Sequence, residues 1–194
     1  MFIANTGFSA RLTNNDYDKL AHIAGLYQES GSAADCSAGM LCVRGNRTPC
    51  EGFPSGTLNT NTFYMEAATA AATVDDVIYA ADTYDNQLLS DGAGNNYAMG
   101  HRTLGLGIPA GRYGNYTRID FDNQSVYRFM AGNVTINTTG DTYFTIADGL
   151  LTSATAKPTT AGTIFFTLVE TGTETEGVYA GGTYYDLMAC KVTV

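Results

Sequence analysis

Thr142–Glu170, TYFTIADGLLTSATAKPTTAGTIFFTLVE, is the stretch whose reading decides the fold. Phe144 and Ile146 lie two residues apart, as do Ile164, Phe166 and Leu168, so each run places its apolar side chains on one face of an extended chain. Asp148-Gly149 suits a tight hairpin turn and Gly140-Asp141 a second turn, while Thr, Tyr, Val and Phe enrich the runs between them. Working outward, glycines at 132, 140, 149, 162, 172 and 182 fall 8, 9, 13, 10 and 10 residues apart. That is the rhythm of successive short antiparallel strands. No helical stripe occurs after residue 100. The C-terminal half therefore reads as an antiparallel β-sandwich or small β-barrel. In the closing YYDLMACKVTV, alternation puts Met188, Cys190 and Val192 on one face, with Cys190 expected as a buried core thiol.

Toward the N-terminus the pattern changes. VDDVIYA (74–80) and YDNQLL (84–89) read as strands, followed by the turn SDGAGNN. TFYMEAATAAA (62–72) fits strand or helix equally. Residues 31–61 read as loop, with Gly31, Gly39, Gly45, Pro49, Gly52, Pro54 and Gly56, apart from a short apolar strand at 40–43. TNNDYDKLAHIAGLYQES (13–30) reads as one helix, capped by Thr13, Asn14 or Asn15. Its apolar stripe would be Tyr17, Leu20, Ala24 and Tyr27. Residues 1–12 read as an extended arm whose Phe2, Ile3, Phe8 and Arg11 are the candidate interface residues. The expected organisation is thus an arm (1–12), a helix and loop-rich subdomain (13–72) and a β domain (73–194).

Composition narrows the function classes. In 194 residues, 44% are hydrophobic and only 15% charged, so Thr, Asn, Ser, Gly and Tyr supply the polar surface. Such side chains are cheap to order and suit packing against a partner, although Tyr is equally at home on half-buried strands. The net charge of −9 rests on ten Lys and Arg with no basic run, which argues against nucleic acid and anionic membrane as partners. MFIANTGFSARLTNN has neither a basic nor a long apolar region of a secretory signal, so the expectation is synthesis in a cytosol and exit by lysis or in a particle.

Candidate chemistry fails on context. GLGIPAG (105–111) holds a relative of the dinucleotide fingerprint, but Pro109, Gly111, Gly114 and a β-like run follow it where a helix is needed. Cys36, Cys42, Cys50 and Cys190 match no zinc spacing. The first three are expected as free thiols in a reducing compartment, with one disulfide open to them in an oxidising one. His22 and His101 lack a recognisable nucleophile, and His101-Arg102 reads as a polar surface pair. Asp75, Asp76, Asp82, Asp85 and Asp120–Asn123 are turn-rich acids without the calcium-loop pattern. Five sequons, at Asn46, Asn115, Asn123, Asn133 and Asn137, reflect Asn/Thr-rich strands. No cofactor or metal is expected, and no enzyme. A small β-fold hydrolase using Asp/Glu pairs is the remaining enzymatic alternative.

The segment NTTGDTYFTIADGLLTSATAKPTTAGTIFFTLVE (137–170), with DLMACKVTV closing the chain, resembles capsid decoration (cement) proteins of tailed bacteriophages. The likeness rests on Gly140-Asp141 leading into a strand, Asp148-Gly149, and the small residues of Ala154–Ala161 before a final strand pair. It covers roughly the last 60 residues. The resemblance implies a compact, β-tulip-like fold that binds the outside of an icosahedral shell, commonly as a trimer, with the major capsid protein as partner and the virion as location. The arm would reach a neighbour, whereas the helix and the Cys-bearing region have no counterpart in the family. The alternative is a carbohydrate- or receptor-binding β-module of a phage fibre or adhesin, using exposed Tyr.

Overall fold

The computed structural model describes residues 8–11, 22–50, 52–73, 76–81, 88–90, 96–98, 107–174 and 181–193, with the backbone alone at 8–11, 22, 61, 88–90 and 96–98. The described chain is mainly β and forms a closed five-stranded barrel and a second, seven-stranded sheet. No helix among the described residues is long and apolar enough to cross a membrane.

The barrel comprises β2 (His22–Glu29), β4 (Leu41–Pro49), β5 (Leu58–Ala67), β6 (Ile78–Ala81) and β9 (Tyr113–Arg118), in the order β2-β5-β4-β6-β9 and back to β2. Its pairs are antiparallel except β2 with β5, which run parallel from Ala24↔Thr62 to Tyr27↔Met65. The two-residue β3 (Ser32–Ala33) pairs back on β2. A separate pair joins β7 (Leu88–Ser90) to β8 (Asn96–Ala98).

The second sheet has the order β1-β10-β15-β14-β12-β13-β11. Here β1 is Phe8–Arg11, β10 Val126–Met130, β11 Val134–Thr135, β12 Tyr143–Ala147, β13 Leu150–Ala154, β14 Ile164–Thr173 and β15 Thr183–Lys191. Alternation drives it: Phe144, Ile146, Ile164 and Phe166 are buried on the face turned to the barrel, as expected from their spacing. The Asp148-Gly149 turn joins Ala147 to Leu150 with both central residues at positive φ, +47° and +77°, the two-residue hairpin geometry.

Two cores result. One fills the barrel with Tyr27, Cys36, Met40, Cys42, Met65, Tyr79, Ala81, Ile108 and Tyr116. The other lies between the layers, where Leu41, Ile78, Ala80 and Ile119 of the barrel side meet Tyr127, Phe129, Phe144, Phe166 and Leu187 of the sheet. Phe166 is held edge-on by Phe121 and Phe129, at ring-centroid distances of 5.4 and 5.8 Å. At roughly 1.5–3 kcal/mol per buried large apolar side chain, this shared core is the main force joining the layers. Strands β4 and β6 serve both cores: Leu41, Ile78 and Ala80 face the sheet, while Cys42, Tyr79 and Ala81 face the barrel interior.

Four expectations are corrected. The helix at 13–30 is not seen: His22–Glu29 is strand, and 13–21 lie outside the described residues. In that strand Ile23, Gly25 and Tyr27 share a face, and pairing on both edges outweighs the helical spacing of Ala24 and Tyr27. The loop at 31–61 contains the whole of β4, with Gly45 inside it and Pro49 ending it, and the start of β5. Gly172 is no turn but pairs with Tyr184 inside the β14–β15 ladder. In β15 the core residues are Leu187 and Ala189, so Met188 and half-buried Cys190 occupy the outer face. The barrel also draws strands from both sides of residue 72.

Candidate functional site

Beyond Val43 and Thr62, strands β4 and β5 lose their outer partners and pair only with each other. They continue as a two-stranded ribbon that closes at Pro49↔Leu58, and the register shifts twice between Arg44 and Pro49. Such bulges bend and twist a ribbon and spoil its edge for further pairing. A polar clasp braces it: Asn59 Nδ2 donates to Thr48 Oγ1 and to Pro49 O, both at 2.9 Å. The tip is an ordered turn in which Cys50 N donates to Thr57 O (2.8 Å) and Thr57 N to Pro54 O (3.0 Å). Gly52 and Gly56 there take φ of +79° and +91°, values that only glycine adopts without strain.

This ribbon carries the most exposed large apolar side chain among the described residues, Phe53, and a second exposed one, Leu58. Phe53 is 65% exposed and Leu58 53%, beside the exposed Arg44 and Arg47, two of ten basic residues in a chain of net charge −9. The Arg44 guanidinium lies 4.7 Å over the Phe63 ring, which holds it along the ribbon instead of leaving it free in solvent.

A second concave surface lies on the outer face of the seven-stranded sheet. It is a cleft of about 480 Å³ lined by Phe121, Tyr143, Lys157, Phe165, Met188 and Cys190, among others. Lys157 Nζ sits 5.5 Å from the Phe165 ring, and Tyr143 packs against the same ring at 6.2 Å. At the rim Lys191 forms an ion pair with Asp122, the carboxylate lining this cleft. The cleft thus offers an aromatic floor and a cationic edge.

The residues singled out from sequence are dispersed. Phe8 and Arg11 lie on β1, whose backbone pairs with β10 of the same chain at Phe129 and Val126; Phe2 and Ile3 lie outside the described residues. His22 pairs with Thr117 across β2–β9, and His101 lies outside the described residues. So do Asp75, Asp82 and Asp85, while Asp76 accepts from Thr73 N at 2.9 Å. Asp120 accepts from Asp122 N (2.8 Å), Asn123 N (3.2 Å) and Asn123 Nδ2 (2.6 Å). Burial works against its charged form, but these bonds outweigh it and hold the carboxyl below its ordinary range. Asn133 is buried and donates to Ala38 O at 2.8 Å, a structural role.

All four cysteines are free: Cys36 and Cys42 face the barrel interior, Cys50 lies at the ribbon tip and Cys190 in the outer cleft. Among the described residues no three His, Cys, Asp or Glu side chains come together. Pro109–Arg112 of the glycine-rich stretch is a turn, with Arg112 N donating to Pro109 O at 3.0 Å. The preceding Ile108 is the surprise, since it plugs the barrel. The ribbon was missed in the sequence because its residues are polar and glycine-rich; a signal was present in RTPCEGFPSGTLN, a turn with one aromatic at its centre. Set against known proteins, the chain matches no family model, no curated protein and no solved structure.

Proposed function

We propose that this chain is a structural component of a virion that binds the outer surface of an icosahedral shell, with the major capsid protein as partner and a homotrimer as the working form. The observation that carries this reading is the β4–β5 ribbon, an ordered projection bearing exposed Phe53 and Leu58 flanked by Arg44 and Arg47. Apolar anchors beside arginines are the groups that dominate protein–protein contacts. The phage-decoration resemblance adds support. Gly140-Asp141 leads into β12, Asp148-Gly149 turns into β13, and Ala154–Ala161 precedes the β14–β15 pair. A strand from the N-terminal arm at the sheet edge fits the same reading, as an element able to pair in one subunit or between two.

The test is co-sedimentation of purified chain with shells assembled from the major capsid protein of the genome that encodes it, together with sedimentation equilibrium of the free chain. The intact chain is expected in the shell fraction. A variant in which residues 48–61 are replaced by a short turn should keep its far-ultraviolet β spectrum and stay behind. A free, folded monomer that never joins shells would refute the proposal.

A second reading, a carbohydrate- or receptor-binding module, is favoured by one observation, the cleft with Tyr143 and Phe165 under Lys157. A glycan array in which intact chain binds and Tyr143→Ala does not would select it. Binding lost with the ribbon and unaffected at Tyr143 would select the first.

A further inference from the structure

Four sulfur side chains share the barrel interior: Cys36, Met40, Cys42 and Met65, all buried. Cys36 Sγ stands 3.9 Å from Met40 Sδ, and the Cys42 thiol lies beside Cys36. Met65 is fixed against the same cluster, because the inner face of Gly25 touches both Met65 Sδ and the Tyr116 ring. The Tyr116 hydroxyl also lies beside Cys36, completely enclosed and with no aligned hydrogen-bond partner. An enclosed, unpartnered hydroxyl normally costs about 1–3 kcal/mol, so its persistence beside two thiols calls for an explanation.

We propose that the barrel interior is a binding site for one soft monovalent metal ion, copper(I) or its chemical analogue silver(I), held by Cys36, Cys42 and Met40 with Met65 alongside. Thiolate and thioether donors select such ions. Zinc wants four nitrogen or thiolate ligands, and this cluster has two thiols. An ion about 2.3 Å from each sulfur, the metal–thiolate length known for zinc, bridges the 3.9 Å gap between Cys36 and Met40 at near the trigonal angle.

Charge balance fixes the stoichiometry. The interior is buried among apolar, aromatic and sulfur side chains, so an uncompensated charge there is expensive. Binding a monovalent ion therefore displaces one proton, which leaves to solvent, and the resulting ion–thiolate group is neutral. The second thiol keeps its proton. The Tyr116 O–H then gains what it lacks, an anionic sulfur to donate to.

The test titrates the intact, reduced chain with copper(I) under anaerobic conditions against a chromogenic copper(I) chelator, with silver(I) as a second probe. Expected are one ion per chain, one proton released, and an X-ray absorption edge and first shell of sulfur only. Cys36→Ser and Cys42→Ser should abolish the site, and Tyr116→Phe should weaken it about 10–100-fold. Cys50→Ser and Cys190→Ser should change nothing, and a far-ultraviolet β spectrum equal to the parent's shows that each barrel variant still folds. No uptake by the intact chain, oxygen or nitrogen in the first shell, or uptake lost only with Cys50 or Cys190 would overturn the proposal.

Discussion

Gly25 and Gly114 face each other across the β2–β9 pair, and each leaves open a space that a fully buried side chain fills from inside the barrel. A methyl on Gly25 would stand 2.3 Å from Met65 Cγ and 2.9 Å from the Tyr116 ring; one on Gly114 would stand 2.2 Å from Ile108 Cδ1. Both neighbours are enclosed and have nowhere to retreat. Gly25→Ala and Gly114→Ala should each lower unfolding stability by about 1–3 kcal/mol, as overpacked cores do. Adding Ile108→Val to Gly114→Ala should cost less than the sum of the single changes, because the two act on one contact. Urea unfolding at equilibrium measures this, and a Gly114→Ala midpoint equal to that of the parent would show that the wall yields.

Gly149 joins the two layers through backbone alone. Its N–H donates to Ala68 O (2.8 Å), its carbonyl accepts from Leu41 N (2.7 Å), and Ala68 N donates to Leu41 O (2.9 Å). With φ of +77°, a side chain here is strained, and its Cβ would meet Met40 at 2.8 Å and Leu41 O at 3.0 Å. Gly149→Ala should cost at least the roughly 1–3 kcal/mol of a non-glycine residue held in this region. Asp148→Asn, at φ +47° in the same turn, should be near neutral because Asn tolerates the left-handed conformation. Thermal unfolding of the two variants separates turn strain from a general loss of the hairpin.

This turn was legible in the sequence, and so was the hairpin around it, because β12 and β13 bury one face and alternate accordingly. The barrel was not. All four residues of β6 are buried, since one face meets the sheet and the other the barrel interior, and such a strand shows no alternation. Strand β2 fits a helical stripe and a strand face at once, and only its neighbours on both edges decide. The ribbon fails the opposite way, since a strand exposed on both faces has no apolar side to announce it. The candidate surfaces were harder still. The cleft gathers Phe121, Tyr143, Lys157, Phe165 and Met188 from five separate segments, and the sulfur cluster needs Met65 beside Cys36, Met40 and Cys42.

Arg128 links strands β10 and β15 to the end of β14. Its Nε and Nη2 each donate to Asp186 at 2.7 Å, its Nη1 donates to Glu174 at 3.0 Å, and its guanidinium lies 3.5 Å over the Tyr184 ring. With Asp186 largely buried, Arg128→Met strands a carboxylate and should destabilise by about 3 kcal/mol. Arg128→Lys should recover little, because an ammonium cannot make the two-pronged contact and the stacking together. Arg128→Met with Asp186→Leu should recover most of the loss, because the stranded charge goes with its partner. Chemical denaturation of the three variants reads out the order; equal stability of Arg128→Lys and the parent would show that only charge matters.

Asp120 sets the acid response of the loop that joins β9 to β10. Its carboxyl sits below the ordinary range because the hydrogen bonds from Asn123 and Asp122 outweigh the opposing effect of burial. A group whose folded pKa lies below its unfolded value binds fewer protons when folded, so it stabilises above the unfolded value, about 3.9 for aspartate. That contribution fades as pH falls through the folded pKa. Asp120→Ala should therefore be less stable than the parent at neutral pH, with the gap narrowing below about pH 4. The residual gap at low pH reports the hydrogen bonds that a neutral carboxyl still accepts, and the lost part reports its charge. Because the backbone N–H of Asp120 itself donates to the buried Tyr127 hydroxyl at 2.8 Å, Tyr127→Phe should cost about 1 kcal/mol at either pH. Urea titrations of parent, Asp120→Ala and Tyr127→Phe at neutral and acid pH decide the matter, and a gap for Asp120→Ala that is constant with pH would refute the assignment of its charge.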